Sequence, residues 1–224
     1  MIKEIIKRIM SFRVGRFFIK IQQHEYAKRQ AVAIAEKNRR EIEFLMRSPL
    51  PIKLELGAGV NRGLPGWTYI DANDQCDFVL DLSQPLPFPD NFVDIIYSSH
   101  LLEHFKYTDL ISFLTECVRI LKPGGQFSAA VPNAGIYLNA YHDPDNFKPD
   151  IFCSYKPAYR YNAKIDYVNY MAYMDGHHQY MFDEENIIVI LRKAGFKHAM
   201  LRDFDKTLDL EIRNHQSIYV KAEK

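Results

Sequence analysis

Residues 54–59 read Leu-Glu-Leu-Gly-Ala-Gly, and this stretch decides the fold class of the chain. It closes a short apolar run that begins at Ile52, and it carries two glycines, Gly57 and Gly59. Glycines directly after a first buried strand let the backbone turn tightly and approach a ligand closely. The stretch therefore predicts a strand followed by a ligand-binding loop.

Further apolar runs follow this strand and alternate with segments of helical periodicity. After the first strand at 52–56 we predict strands at 67–70, 78–80, 93–97, 126–131, 198–204 and 216–222, and helices at 110–121 and 183–193. The alternation predicts a mostly parallel sheet that is covered on both faces. Because only a loop separates the last two strands, they predict an antiparallel hairpin at one edge. The predicted fold class is thus α/β, a doubly wound, mostly parallel seven-stranded sheet that binds ligands at the carboxyl ends of its strands.

Turn and cap signals refine the bounds of these elements. Lys122-Pro123-Gly124-Gly125 predicts a turn before the fifth strand. Asp183 predicts the N-cap of the last helix.

The N-terminal part of the chain differs from the rest in charge. Residues 1–48 contain twelve Lys or Arg and five Glu, a net charge of +7, whereas the remainder carries seventeen basic and twenty-three acidic residues, a net charge of −6. Residues 2–46 predict a helix with a break near Gly15, ended by the prolines of the segment 48–51. We predict an N-terminal basic helical arm at 1–48 and one α/β domain at 49–224.

The first part of this arm, residues 1–21, is basic and amphipathic, and three interpretations stay open. It could lie as an interfacial helix on an anionic membrane surface. It could instead pack as a lid or as the contact of a homodimer. Binding to nucleic acid is the least favoured, because the arm has no recognised nucleic-acid-binding motif.

The three cysteines are far apart and form no CxxC motif, which indicates reduced thiols rather than disulfides or a zinc site. No run of eighteen apolar residues predicts a transmembrane helix, and charges interrupt the start of the chain where a secretory signal would be apolar. We therefore expect a cytoplasmic protein, peripheral to the inner membrane if the arm binds lipid.

Acidic residues at the ends of the second and third strands, Asp71 and Asp81, accompany the glycine loop. An acid at the second strand end is placed to accept hydrogen bonds from ribose hydroxyls. A dinucleotide requires a third glycine at the start of the following helix, and residues 60–63 do not supply that spacing. S-adenosylmethionine has no phosphate and carries positive charge, which suits Glu55. The pattern favours S-adenosylmethionine as the cofactor.

Five ordered motifs carry a resemblance to a known family. They are 54–59, 69–71, 81–91 with its Pro-Leu-Pro-Phe-Pro-Asp-Asn end, 94–104 and 119–125. The chain resembles a class I S-adenosylmethionine-dependent methyltransferase of the type 11 group, strongly over 52–133 and loosely over 178–222. A further likeness, in 85–91 and 98–100, is to methyltransferases associated with bacterial surface polysaccharides.

The resemblance implies a Rossmann-like methyltransferase fold and a set of cofactor-binding residues. Asp71 would hold the ribose, Asp81 would bond the adenine amino group, and Leu82 would lie beside the ring. The implied set as a whole is Glu55, Gly57, Ala58, Gly59, Asp71, Ala72, Asp81, Leu82, Ser98 and His100. Asn61 departs from the family, because many relatives have a small residue or glycine there. The short link from Gly59 to Trp67 predicts that the usual first helix is reduced to a loop.

Methyl transfer to a hydroxyl requires alignment of the nucleophile and removal of its proton, and histidine is the natural base near neutral pH. The histidines that we consider are His100, His104, His142, His177 and His178. His100 is the first candidate because it follows the fourth strand directly, and His178 and Tyr141 complete the predicted catalytic set. Packing or capping is an alternative role for His104. We expect no metal, because the spacing matches no His-Glu-x-x-His signature.

The segment 134–180 is an insertion that is rich in tyrosine, and it holds nine of the fourteen tyrosines of the chain. Tyrosine offers a flat apolar face and a hydroxyl, which suits sugars and aromatic rings. The equal alternative is a lid that tyrosines stabilise by packing together. We expect a methyltransferase that acts on a small-molecule or saccharide acceptor at a hydroxyl. The alternative is a non-catalytic cofactor-binding or scaffold protein that keeps the fold.

Overall fold

The computed structural model describes the backbone of residues 2–60 and 62–224, with the side chains of 23–26, 28–60 and 62–224. The chain divides into two compact units, Met1–Arg47 and Ser48–Lys224. The first unit is the helix α1, Ile2–Met46. The predicted break near Gly15 is wrong, since α1 continues through this residue and a single glycine costs a helix only about 1 kcal/mol. The predicted amphipathic face of 1–21 lies outside the described side chains.

The second unit is built on one seven-stranded sheet. Its strands are β1 (Lys53–Leu56), β2 (Trp67–Asp71), β3 (Phe78–Val79), β4 (Val93–Ser99), β5 (Leu121–Pro132), β6 (Lys197–Leu201) and β7 (Ser217–Glu223). Their order in the sheet is β3-β2-β1-β4-β5-β7-β6. The five strands from β3 to β5 pair in parallel, and β7 pairs antiparallel with β5 and β6. The predicted fold class is confirmed. The strand order reverses between β1 and β4, which is where ligands bind in such sheets.

Helices cover the sheet and build the insertion. They are α2 (Tyr107–Ile120), α3 (Ala134–His142), α4 (Pro149–Phe152), α5 (Ile165–Tyr173) and α6 (Glu184–Lys193). One face of α2 is buried, with Leu110, Leu114 and Cys117 fully enclosed, as the apolar periodicity predicts. The N-cap prediction for α6 is confirmed, because the Asp183 carboxylate accepts hydrogen bonds from the amides of Glu185 and Asn186.

Residues 122–125, predicted as a turn before the fifth strand, lie inside β5. The prediction is wrong in placement, since Val93 pairs with Leu121 and Ile95 pairs with Gln126, so that the four residues between form a bulge. Gly124 adopts φ +75° there. A bulge accommodates such a residue without ending the strand.

The described residues between Gly59 and Trp67 form a loop rather than a helix, as expected from the short link. Among the described residues, no helix is long and apolar enough to cross a membrane.

The insertion has a hydrophobic core of its own. Its buried residues are Ala134, Tyr137, Ala140, Cys153, Tyr167, Tyr170 and Met171. The Tyr137 hydroxyl donates a 2.6 Å hydrogen bond to the carbonyl of Phe152. Tyr137 and Tyr170 stack with ring centroids 5.7 Å apart. Part of the tyrosine content therefore stabilises the insertion itself.

Candidate functional site

The glycine loop follows β1 and adopts left-handed backbone conformations. Gly57 has φ +71° and Gly59 has φ +69°. A Cβ atom at Gly57 would lie 2.7 Å from the side chain of Leu101, whereas a Cβ at Gly59 would meet nothing within 4 Å. Gly57 is therefore required for both conformation and space, and Gly59 for conformation only.

Asp71 is the last residue of β2, and its carboxylate holds the glycine loop. It accepts hydrogen bonds from the amide of Gly59 (2.9 Å), the amide of Ala72 (2.6 Å) and the side-chain amide of Asn73 (3.0 Å). The same Asn73 nitrogen donates to the carbonyl of Gly59 at 2.9 Å. A carboxylate has about four acceptor positions, so Asp71 keeps capacity for a further donor.

Asp81 follows β3 and faces the same region. Its Oδ1 accepts hydrogen bonds from the hydroxyl (2.7 Å) and the amide (3.0 Å) of Ser83. These bonds hold the pKa of Asp81 below its usual range. The neighbouring Leu82 is buried. Asp81 is thus a fixed, ionised acceptor next to an apolar side chain.

A cavity of about 310 Å³ lies between these strand ends. Its lining residues are Asp71, Ala72, Leu80, Asp81, Leu82, Ser83, Leu101, His104, Phe105, Lys106, Asp109 and Gln179. Its volume falls within the range of small-molecule sites. The structure therefore brings the two predicted acids, Ala72 and Leu82 into one site. Six described residues of the predicted cofactor-binding set do not line this cavity, namely Glu55, Gly57, Ala58, Gly59, Ser98 and His100.

Glu55 is buried in β1 and forms an ion pair with Arg62. The Nε and Nη2 atoms of Arg62 donate to Glu55 Oε2 at 3.0 and 2.6 Å. Arg62 Nη1 donates to the carbonyl of Leu208 at 2.9 Å, and the guanidinium lies 5.6 Å from the ring centre of Tyr97. Burial raises the pKa of Glu55, and Arg62 opposes that shift.

The sequence motifs did not identify Arg62. Glu55 was the feature of the sequence that could have pointed to it, because an ionised carboxylate in a buried strand requires a partner of opposite charge.

Ser98 and His100 lie at the end of β4. Ser98 is fully buried, and its hydroxyl has no hydrogen-bond partner among the described residues. His100 adopts φ +51°, and its Nε2 lies 2.8 Å from the hydroxyl of Ser217. That hydroxyl donates to the carbonyl of Arg213 at 2.7 Å. Having used its only hydrogen, the hydroxyl accepts from His100, so that the proton of this imidazole is on Nε2.

Burial, with a contribution from Arg213, lowers the pKa of His100 to about 3. A base is most effective when its pKa lies near the working pH. His100 is neutral at pH 7 but binds a proton weakly. The catalytic role of His100 stays a prediction, and its surroundings favour a positioning role.

A second group of side chains lies beside the cavity. Glu103 and His104 belong to a 3-10 turn, Leu102–His104, and His178 lies near the C-terminal end of the insertion. One ligating atom from each of the three lies within 4.8 Å of the others. The amides of Gln179 and Tyr180 both donate to the carbonyl of Glu103, at 2.8 and 3.1 Å. These two bonds bring His178 to the strand end where the sequence placed His100.

Burial shifts the pKa values of this group. It raises the pKa of the Glu103 carboxyl to about 8 and lowers the pKa of His178 to about 4. Glu103 Oε1 is 3.9 Å from an imidazole nitrogen of both His100 and His104. Sequence reasoning missed Glu103, although its position directly before His104 was visible.

Tyr141, the third predicted catalytic residue, lies near the end of α3. Its side chain is exposed, and its ring centroid lies 5.2 Å from that of His142. Within the described part of the chain, Tyr141 is not among the residues that line the 310 Å³ cavity. Its catalytic role stays a prediction without a contact that supports it.

Comparisons with known proteins agree with this geometry. Residues 67–129 match the family model described as a methyltransferase domain. A protein of Mycolicibacterium smegmatis named "Probable S-adenosylmethionine-dependent methyltransferase" is 42% identical over 48 residues. That match covers 21% of this chain and 18% of the relative, so the chain spans about a fifth of the relative that it matches.

Solved structures with a similar fold include two S-adenosylmethionine-dependent methyltransferases. One, from Archaeoglobus fulgidus, is 17% identical with a TM-score of 0.46, over 87% of this chain and 94% of that chain. Another, from Aquifex aeolicus, is 14% identical with a TM-score of 0.45, over 76% of this chain and 80% of that chain.

The two strand-end acids Asp71 and Asp81 lie within the segment 67–129 that matches the methyltransferase domain, and the glycine loop precedes it. The match over residues 67–129 and the name of the relative agree with the resemblance of the sequence motifs to class I S-adenosylmethionine-dependent methyltransferases. S-adenosylmethionine is the cofactor of that class.

Proposed function

We propose that this chain is an enzyme that transfers a methyl group from S-adenosylmethionine to a hydroxyl of a small-molecule or saccharide acceptor. The observation that carries the proposal is the cavity at the strand ends, which Asp71 and Asp81 line together. Two acids at successive strand ends suit a ligand with separated hydrogen-bond donors. A ribose and an adenine amino group are such donors.

The residues present fit the proposed cofactor. Asp71 would accept from the ribose hydroxyls with its remaining acceptor capacity. Asp81 would accept from the adenine amino group, and Leu82 would contact the ring. When it is bound, S-adenosylmethionine supplies a methyl group bonded to its positively charged sulfonium sulfur.

Glu55 and Arg62 would serve the methionine end of the cofactor. That end carries an ammonium and a carboxylate, and the ion pair presents one group of each charge near the glycine loop. The opposite charges of the pair complement the ligand without adding net charge to the site. Arg62 thus joins the residues proposed from the sequence.

The acceptor class is proposed from the insertion. Its C-terminal end is tied to Glu103, and Gln179 lines the cavity, so the insertion borders the site. Several of its tyrosines stay exposed, including Tyr141, Tyr155 and Tyr173. Exposed phenol rings suit the mixed polar and apolar faces of a sugar.

Titration calorimetry of the full chain with S-adenosylmethionine, and with S-adenosylhomocysteine, tests the cofactor. We expect saturable binding of both ligands, and the absence of binding for both would reject the proposal. A panel of hydroxyl-bearing acceptors and methyl-labelled S-adenosylmethionine then tests transfer. Cofactor binding without transfer to any saccharide, phenol or cell extract would favour the non-catalytic alternative.

A further inference from the structure

The imidazoles of His104 and His178 are held in the same tautomer. His104 Nδ1 lies 2.9 Å from the carbonyl of His177, and His178 Nδ1 lies 2.7 Å from the carbonyl of Met171. A carbonyl oxygen only accepts hydrogen bonds, so each Nδ1 carries the proton. Each Nε2 therefore has a free lone pair. Histidines that bind metals through Nε2 are oriented by such bonds from the other nitrogen.

The two imidazoles and the Glu103 carboxyl group lie close together. Glu103 Oε1 is 3.9 Å from His104 Nε2, and the two imidazole rings are 5.3 Å apart. One ligating atom of each residue lies within 4.8 Å of the others. Metal bonds of about 2.1 Å place neighbouring ligand atoms roughly 3–3.4 Å apart. To close around one ion, the ligating atoms would move together by at most about 1.4–1.8 Å through side-chain rotation.

Glu103 supplies an independent observation. Its side chain is 2% exposed, and its Oε2 has no hydrogen-bond partner among the residues that the structure describes. A buried polar atom without a partner is costly, and a cation removes that cost when it binds.

We propose that Glu103, His104 and His178 form a binding site for a divalent transition-metal ion. Two imidazoles and one carboxylate suit zinc and its first-row neighbours, and three protein ligands leave coordination positions open. The proposal departs from the absence of metal expected from the sequence. The sequence did not predict this site, because only the fold of the insertion brings His178 next to Glu103.

The site borders the cavity described above. His104 is 43% exposed and lines the cavity together with Asp71 and Asp81. The role of the ion rests on the proposed function: it binds the oxygen of the acceptor hydroxyl. The O–H bond then breaks more easily, its proton passes to water, and the oxygen keeps the electron pair.

Metal binding is tested on the full chain after it has been stripped with EDTA. Titration with Co²⁺ is followed by visible absorption, and equilibrium dialysis with Zn²⁺ measures stoichiometry. We expect one ion per chain. The His104→Ala variant, which alters a half-exposed side chain, should bind at least about tenfold more weakly. His177→Ala is the matched control, because it keeps the carbonyl that His104 contacts, and it should bind as the parent does.

The proposal is overturned if the parent chain binds less than one ion, or if His104→Ala and His177→Ala bind equally well. Glu103→Gln keeps the shape of the buried side chain and should also weaken binding. Calorimetry with S-adenosylmethionine in EDTA separates the two claims. Cofactor binding without metal binding rejects the metal site alone, and metal binding without cofactor binding rejects the proposed function alone.

Discussion

The amide of Gly59 donates a 2.9 Å hydrogen bond to Asp71 Oδ2, which joins the loop after β1 to the end of β2. The two residues are twelve positions apart and are the two strongest features of the sequence motif. Their contact explains why a glycine loop and a strand-end acid occur together. The acid fixes the loop that it faces, and it retains capacity for a ligand.

Replacement of Asp71 by alanine should weaken S-adenosylmethionine binding about tenfold to a hundredfold, because hydrogen bonds to a charged group contribute about 1.5–3 kcal/mol. Calorimetry measures the effect. Asp74→Ala is the control. It changes an exposed acid in the loop directly after Asp71, and it should bind S-adenosylmethionine as the parent does. Equal affinities for the two variants would remove Asp71 from the site.

Alanine at the two loop glycines should have unequal effects on stability. Gly57→Ala should lower the free energy of unfolding by about 2–4 kcal/mol, from the left-handed backbone and the contact with Leu101. Gly59→Ala meets open space and should cost only about 1–2 kcal/mol. Urea denaturation distinguishes these values. A larger loss for Gly59→Ala would contradict the assigned packing of Leu101.

Removal of Arg62 should destabilise the domain, because it leaves Glu55 buried without its ion-pair partner. Arg62→Met should lower the free energy of unfolding by about 3 kcal/mol. This value is near the lower end of the cost of removing one partner from a buried ion pair, because Arg62 keeps some exposure. The double variant Arg62→Met with Glu55→Gln removes the unpaired charge, and it should recover part of that loss in urea denaturation. A double variant less stable than the single one would reject the pairing argument.

Tyr137→Phe should lower the free energy of unfolding by about 1 kcal/mol, since it removes the hydrogen bond from the buried hydroxyl to the carbonyl of Phe152. Tyr173→Phe is the control, because that side chain is 62% exposed, and it should leave stability unchanged. Thermal denaturation of both variants measures the difference. Equal melting temperatures would show that the insertion does not depend on this tyrosine.

The sequence by itself determined the sheet and one side of the site. Alternating strands and helices predicted seven strands with an antiparallel edge pair, because hydrophobic periodicity is a local property of the chain. Asp71 and Asp81 were predictable as neighbours for a related reason. The carboxyl ends of parallel strands meet at one edge, so residues placed there converge whatever their separation in sequence.

Only the tertiary structure decided the other side of the site. The pairing of Glu55 with Arg62 depends on the path of a loop without a regular element. The meeting of Glu103 with His178 depends on how a compact insertion returns to the sheet. Hydrophobic periodicity does not predict contacts of this kind, because they are set by packing between residues far apart in the chain. The same packing buries His100 and makes it a weaker base than its position after β4 suggested.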